Sequence, residues 1–168
     1  KDMKTDLNLF LTELAPLAGL LLTRGETLGT AESCTGGLIA ALITSLPGSS
    51  AWFKGGITAY ANEIKTALLG VPEDVLATHG AVSEATALAM ARGAVNALRV
   101  SHSLAVTGIA GPDGGSPDKP VGTVWLAWCV AGQATARRCL FTGGRAAVRA
   151  QAAQAALEEL VRLLHARV

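Results

Sequence analysis

The sequence predicts an α/β protein, a three-layer α/β/α sandwich built on a mixed, mostly parallel sheet. Short apolar runs bounded by glycine, proline or polar residues alternate along the chain with segments whose apolar residues recur at helical spacing. Strands that alternate with helices in this way usually pair in parallel. The last two apolar runs flank residues 131–134 with no helix between them, and they predict an antiparallel hairpin that makes the sheet mixed.

Each element is predicted from its apolar spacing and from the residues at its ends. The expected strands cover residues 27–33, 55–61, 102–108, 121–130 and 135–141. The expected helices cover residues 7–22, 38–46, 72–78 and 83–98, with a short one from 62 and a last one after 145. Pro16 is expected to kink the first helix or to restart it at its first turn, and Pro47-Gly48 to end the second. Asn62 and Ser83 are expected N-caps, because both side chains can accept a hydrogen bond from a backbone N–H.

The composition indicates one ordered globular domain. The 168 residues are 50% hydrophobic and 16% charged, unlike a disordered chain. This length suits a single domain over residues 1–168, with about the first six residues disordered or foreign to it. The net charge of +1 provides no broad attraction for nucleic acid, which is therefore not an expected partner.

The cysteines and the apolar segments indicate the compartment. Cys34, Cys129 and Cys139 are odd in number and lack CxxC spacing, so neither a disulfide framework nor a zinc site is expected. This pattern favours a reducing cytoplasm. The most apolar segment is interrupted by polar residues and falls short of the ~20 apolar residues of a membrane span, so no membrane association is expected.

The stretch TAESCTGG, residues 30–37, is a candidate site because a predicted strand ends there and a helix begins. Ligand sites of open α/β sheets lie at this edge, and N–H groups at a helix N-terminus can hold a phosphate or a developing oxyanion. Ser33 and Cys34 are adjacent potential nucleophiles. In the structural alternative, Ser33 or Thr35 caps the helix and the two glycines only permit the turn.

A serine nucleophile needs a base, and none of the three histidines obviously supplies one. Lys65, in the segment TAYANEIK, follows the expected cap by three residues, so its charge lies near the positive end of a helix dipole. With burial, this placement lowers the lysine pKa toward a neutral amine that can accept a proton. Tyr60 is a candidate proton relay or hydrogen-bond partner. The alternatives are a solvated surface lysine and a tyrosine packed in a strand.

A glycine-rich loop and one arginine complete the candidate set. In TGIAGPDGGSPDKPVGTVW, residues 107–125, the glycines permit close backbone approach to a ligand and the prolines limit flexibility. A surface hairpin loop is the alternative. Arg145 and the N–H groups of the last helix can bind a phosphate, although a solvated arginine fits this position equally well.

These segments resemble the CinA C-terminal domain family, competence/damage-inducible CinA-like proteins that include stand-alone nicotinamide-nucleotide amidases. The motifs that carry the resemblance span about residues 14–164 in this order: AESCTGG, PGSSAWFKGGITAYANEIK, HGAVSE, TGIAGPDGGSPDKPVGTVW and FTGGRAAVR. The resemblance implies an α/β/α fold and an amidase that converts nicotinamide mononucleotide and water to nicotinate mononucleotide and ammonia. It implies no metal or organic cofactor, and a homo-oligomer, dimeric or larger.

The resemblance also implies a role for each matching residue. Ser33 would be the nucleophile, Lys65 its general base and Tyr60 a neighbouring active-site side chain. Matching ligand-binding positions are Cys34, Thr35, Gly36, Gly37, Thr107, Gly108, Gly111 and Arg145. Lys65 would take the proton of Ser33 as its oxygen attacks the carboxamide carbon, and backbone N–H groups of residues 33–37 would stabilise the oxyanion.

Two other functions stay open. One is a non-catalytic or weakly active nucleotide-binding module, because many CinA-type proteins join this domain to a separate N-terminal domain in processes described as competence or damage response. The other is an amidase for a different pyridine or nucleotide carboxamide. Only the set of Ser33, Lys65 and Tyr60 separates an enzyme from a binding module, and this chain has all three.

Overall fold

The computed structural model describes residues 3–167, with side chains described for residue 12 and for residues 14–167. The helices are α1 (Met3–Arg24), α2 (Leu38–Thr44), α3 (Asn62–Leu69), α4 (Glu73–His79), α5 (Glu84–Leu98) and α6 (Arg145–His165). The strands are β1 (Leu28–Glu32), β2 (Phe53–Thr58), β3 (His102–Gly108), β4 (Thr123–Val130) and β5 (Gln133–Leu140). The limits predicted for the domain stay a prediction, since residues 1, 2 and 168 lie outside the described range.

The five strands form one sheet in the order β2-β1-β3-β4-β5. β1 pairs in parallel with both β2 and β3. β4 is antiparallel to β3 and to β5, so four of the five strands run in one direction. The predicted mixed, mostly parallel sheet is therefore confirmed, including the hairpin at its far edge.

Helices cover both faces of the sheet, as the three-layer prediction requires. On one face, α1, α2 and α6 bury long aliphatic side chains such as Leu17, Ile39 and Leu157. On the other face, α5 buries mostly small side chains, among them Ala87, Ala91 and Ala94, and α3 and α4 pack beside it. The small side chains let α5 lie close to the sheet.

The structure corrects several details of the predicted elements. The turn of the hairpin is shorter than the predicted residues 131–134, because β5 begins at Gln133. α1 runs through Pro16 as one helix rather than restarting there. β2 ends at Thr58, three residues before the predicted end at 61, because the next carbonyl groups turn toward the side chain of Lys65. Asn62 is the first residue of α3 and not its cap; the N-cap is Ala61, which provides no side-chain hydrogen bond. The predicted cap of α5 is confirmed, since Ser83 Oγ accepts from the N–H of Thr86 at 3.2 Å.

The carboxyl ends of β1, β2 and β3 meet at one edge of the sheet because these strands are parallel neighbours. At that edge, the N–H of Ser33 donates to Val106 O at 2.9 Å and the N–H of Ala59 donates to Glu32 O at 2.8 Å. The parallel strands therefore bring together the segments that follow them, which carry the candidate residues Ser33, Tyr60 and Lys65.

Gly93 allows α5 to pack against the end of α3, the helix that carries Lys65. A methyl group built at Gly93 would overlap the carbonyl oxygen of Leu69. We expect Gly93→Ala to lower the free energy of unfolding by about 1–3 kcal/mol, because backbone rather than a flexible side chain must move. Urea unfolding followed by circular dichroism measures this change.

Gly19→Ala is the matched control, because Gly19 also lies inside a helix but has nothing within 4 Å of the added carbon. It is expected to raise the free energy of unfolding by about 0.5–1 kcal/mol, the usual gain of alanine over glycine in a helix. Equal effects of the two substitutions would contradict the assigned role of Gly93.

Candidate active site

The turn over residues 33–37 follows β1 and leads into α2. The N–H of Gly36 donates to Ser33 O at 3.0 Å, and Gly36 and Gly37 have φ of 60° and 97°. These left-handed conformations strain any residue with a Cβ, so the turn requires its glycines. Gly37 is the N-cap residue of α2 and has no side chain of its own to accept a capping hydrogen bond, and neither Ser33 nor Thr35 supplies one. The alternative in which Ser33 or Thr35 caps the helix is therefore wrong.

Lys65 points from the first turn of α3 into the carboxyl edge of the sheet. Its Nζ donates to Ser33 Oγ at 3.0 Å, to Ala59 O at 2.9 Å and to Tyr60 O at 3.1 Å. The lysine is 1% exposed and Ser33 is 8% exposed. The alternative of a solvated surface lysine is wrong, and the structure places the predicted nucleophile and base in direct contact.

Burial lowers the pKa of Lys65 because the ammonium loses its hydration, while the Cys34 thiol and the Glu63 carboxylate oppose this shift. The two backbone carbonyls occupy two N–H donors of the nitrogen. In the neutral amine, those two donors are the only ones present, so the lone pair is left directed at the hydroxyl of Ser33. The geometry is that of a base beside its proton donor.

Cys34, the adjacent candidate nucleophile, is 5% exposed. Burial raises the pKa of its thiol to about 11, and the nearby Glu32 carboxylate acts in the same direction. The thiol is therefore protonated at neutral pH, and a protonated thiol is a weak nucleophile.

A cavity of about 230 Å³ opens in front of the Ser33 hydroxyl. Seven candidate residues line it: Ser33, Cys34, Tyr60, Lys65, Thr107, Gly108 and Arg145. Asn62, Ala81, Val82 and Ala110 also line it and were not predicted. Thr35, Gly36, Gly37 and Gly111 do not line it. Thr35 is completely buried, and its carbonyl oxygen accepts a hydrogen bond from Arg149 at 2.8 Å.

Arg145 and Tyr60 stand at the mouth of this cavity and both are exposed. Arg145 donates to the hydroxyl of Tyr60 at 2.9 Å and to the carbonyl oxygen of Gly111 at 2.8 Å. Thr107 lies deeper and donates to Ala81 O at 2.8 Å. The arginine therefore links the segment after β2 to the glycine-rich loop after β3, and neither is an isolated surface feature.

Sequence reasoning missed Glu32, which caps α2 in place of a serine or threonine. Its carboxylate accepts hydrogen bonds from the N–H groups of Gly37, Ile39 and Ala40 at 2.9–3.1 Å. An acidic side chain shortly before a helix interacts favourably with the helix N-terminus, and this position of Glu32 could have indicated its capping role.

A larger groove of about 600 Å³ lies between α3 and α5, but its lining contains no serine, cysteine, lysine, histidine or carboxylate. No group of three or more His, Cys, Asp and Glu side chains within the described residues could hold a metal ion. No helix in the described part of the chain is long and apolar enough to cross a membrane.

The family model of the CinA C-terminal domain matches residues 12–164. The chain belongs to the CinA C-terminal domain family. The protein of Escherichia coli K12 called nicotinamide-nucleotide amidohydrolase PncC is 53% identical over 141 residues, which cover 83% of this chain and 86% of that protein. A CinA-like protein of Gemmatimonas aurantiaca is 51% identical over 87% of this chain, but the match spans only 35% of its own length.

A solved structure of the same family has the same architecture. The competence damage-inducible protein A of Klebsiella pneumoniae superposes with a TM-score of 0.91 at 37% sequence identity, over 95% of this chain and 99% of that one. The CinA fold thus accounts for nearly the whole described chain.

The lowered pKa of Lys65 predicts a pH-dependent stability. Between that pKa and the ordinary value of 10.5, the unfolded lysine binds a proton and the folded lysine does not. The contribution of Lys65 to the free energy of unfolding therefore rises with pH across this window. We expect the stability of the wild type minus that of Lys65→Met to increase as pH rises toward 10.5, measured by urea unfolding.

Lys54→Met removes an exposed lysine of β2 and controls for the loss of one charge. Two results would contradict a buried neutral amine at Lys65. One is a stability difference between wild type and Lys65→Met that does not change with pH, and the other is an equal pH dependence for Lys65→Met and Lys54→Met.

Proposed function

We propose that this protein is a nicotinamide-nucleotide amidase, which hydrolyses the carboxamide of nicotinamide mononucleotide to nicotinate mononucleotide and ammonia. The observation that carries the proposal is the 3.0 Å contact between the buried Lys65 Nζ and Ser33 Oγ at the base of a cavity. The relative of Escherichia coli named as such an amidohydrolase, matched over 86% of its length, supports the choice of substrate.

In the proposed first step, the neutral Lys65 amine accepts the proton of Ser33 as its oxygen forms a bond to the carboxamide carbon. The carbonyl oxygen becomes an oxyanion. Lys65 then gives its proton to the amide nitrogen, the carbon–nitrogen bond breaks and ammonia leaves. Water, deprotonated by Lys65, then attacks the acyl-enzyme ester. Lys65 returns that proton to Ser33 Oγ as the ester bond breaks, and the product acid leaves and ionises to the carboxylate. These steps use side chains, backbone N–H groups and water.

Within the turn over residues 33–37, one backbone N–H group remains as a candidate donor to the oxyanion. Ser33 N–H is bonded to Val106 O, Gly36 N–H to Ser33 O, and Gly37 N–H to the Glu32 carboxylate. Within the described chain, the N–H groups of Cys34 and Thr35 donate to no other residue. Of these two residues only Cys34 lines the cavity, whereas Thr35 is completely buried, so the N–H of Cys34 is the proposed oxyanion donor within the turn.

The remaining groups of the cavity suit a phosphorylated substrate. The exposed guanidinium of Arg145 can form two parallel hydrogen bonds to a phosphate, if it exchanges its contacts with Tyr60 and Gly111. Tyr60 then remains beside the base. We place the enzyme in the cytoplasm as a homo-oligomer, without nucleic-acid or membrane partners.

One observation favours a second candidate, a nucleotide-binding module with little or no turnover. The CinA-like protein of Gemmatimonas aurantiaca contains this domain as about a third of its length, so the domain also occurs as part of a longer chain. A third candidate is an amidase for another pyridine carboxamide.

Ammonia release from a panel of pyridine nucleotides distinguishes these candidates. We expect turnover of nicotinamide mononucleotide, with weaker turnover of free nicotinamide because it lacks the phosphate that Arg145 can bind. Calorimetric binding of the same compounds is measured in parallel. Binding without ammonia release from any of them would support the nucleotide-binding module. Faster turnover of another carboxamide would identify that compound as the preferred substrate.

Single substitutions assign the nucleophile and the base. Ser33→Ala and Lys65→Ala are each expected to lower kcat by ~10³-fold or more, because each removes one half of the acting pair. Cys34→Ala is expected to keep activity of the same order as the wild type, since the thiol is protonated and is not bonded to Lys65. Full activity in Ser33→Ala with loss in Cys34→Ala would instead make the cysteine the nucleophile.

A further inference from the structure

Glu32 is an unusual residue for the last position of a central strand, because its side chain is charged and only 1% exposed. It directly precedes Ser33 and does not line the cavity. One carboxylate oxygen, Oε2, accepts from Gly37 N–H at 3.1 Å and from Ile39 N–H at 3.0 Å. The other, Oε1, accepts from Ala40 N–H at 2.9 Å.

These bonds explain how a buried carboxylate is tolerated here. A buried charge is costly unless other groups replace its hydration. In the described part of the chain, no cation forms a salt bridge with Glu32. Three N–H groups at the positive end of α2 satisfy it instead.

The same residue contacts both sides of the Ser33–Lys65 pair. Its side chain spans the turn and fixes Gly37, the residue that ends the turn, against the end of β1. Its backbone oxygen accepts from Ala59 N–H at 2.8 Å, and the carbonyl of Ala59 in turn accepts from Lys65 Nζ at 2.9 Å. The position of Ser33 Oγ relative to Lys65 Nζ therefore depends on Glu32 from both directions.

We propose that Glu32 is a positioning residue for the nucleophile. Its carboxylate closes the turn over residues 33–37, directs Ser33 Oγ at Lys65 Nζ and leaves the N–H group of Cys34 free to receive the oxyanion. The reaction assigned to Ser33 rests on the proposed function, whereas the effect of Glu32 on the reactivity of Ser33 does not.

The test compares Glu32→Gln with Glu26→Gln. In Glu32→Gln, an NH₂ group replaces one oxygen and faces an N–H donor, so at least one of the three bonds is lost along with the charge. Glu26 lies before the other end of β1, outside the cavity, where its carboxylate contacts His102 at 2.7 Å and Arg167 at 2.9 Å. The control thus removes another bonded carboxylate from the same region of the chain without touching the turn.

Two rates are measured at a temperature where circular dichroism shows each variant folded. The first is the covalent labelling of Ser33 by a small fluorophosphonate, followed by mass spectrometry, which needs no knowledge of the substrate. The second is kcat and KM for ammonia release from nicotinamide mononucleotide. We expect Glu32→Gln to lower the labelling rate and kcat by about 10–100-fold, as a displaced reacting group does, with KM nearly unchanged. Glu26→Gln should leave both rates near those of the wild type.

Wild-type labelling and kcat in a folded Glu32→Gln variant, or equal losses in Glu26→Gln, would overturn the positioning role while leaving the amidase intact. Slower labelling in Glu32→Gln with no ammonia released even by the wild type would support the positioning role and reject the proposed function. If Glu32→Gln does not fold, Glu32→Asp replaces it, since aspartate keeps the charge but withdraws it by one methylene. A folded Glu32→Asp with undiminished labelling would then overturn the proposal.

Discussion

The site depends on the burial of one lysine. An ammonium group removed from water is unstable unless polar groups replace its hydration or the group loses its proton. The chain meets this requirement with the carbonyl oxygens of Ala59 and Tyr60, both directed at Lys65 Nζ. Because those carbonyls serve the lysine, the strand β2 ends at Thr58, and α3 begins where its first turn can direct Lys65 back toward the sheet.

A second buried ionisable side chain, that of Glu32, directly precedes Ser33 in the chain and does not pair with Lys65. An ion pair between Glu32 and Lys65 would stabilise the ammonium and raise the lysine pKa, which would remove the neutral base. The Glu32 carboxylate is bonded to the N–H groups of α2 instead. The N-terminus of α2 thus stabilises the Glu32 carboxylate in place of a cation, and burial still lowers the pKa of Lys65.

The sequence predicted the parts of this arrangement that depend on local spacing. The bounds of β3 were predicted to the residue, and the cap at Ser83 was confirmed, because a buried strand and a capping side chain are both read within a few positions. Lys65 was predicted as the base for Ser33 from its place near the N-terminus of the next helix and from the family resemblance. Only the structure shows that their side chains are in contact.

The missed features depend on contacts that spacing does not reveal. Asn62 is a residue type that often caps helices, but Ala61 is the N-cap of α3. The backbone just before it is held by the hydrogen bond from Lys65 Nζ to Tyr60 O. Glu32 bonds to N–H groups five, seven and eight residues later, and only the left-handed glycines of the turn bring those groups within reach. A helical or strand pattern carries no signal for such a contact.

Burial lowers the pKa of Lys65 and raises the pKa of the neighbouring Cys34 thiol. A catalytic cysteine needs a cation beside it to hold the thiolate, whereas a lysine with a lowered pKa offers less positive charge at neutral pH. With a thiol pKa of about 11, only about one Cys34 side chain in 10⁴ is ionised at pH 7. A serine makes no such demand, because its proton leaves only as the new bond forms and a neutral amine at 3.0 Å can accept it then. In the proposed mechanism, burial of the thiol therefore favours Ser33 over its neighbour as the nucleophile, even though both residues line the same cavity.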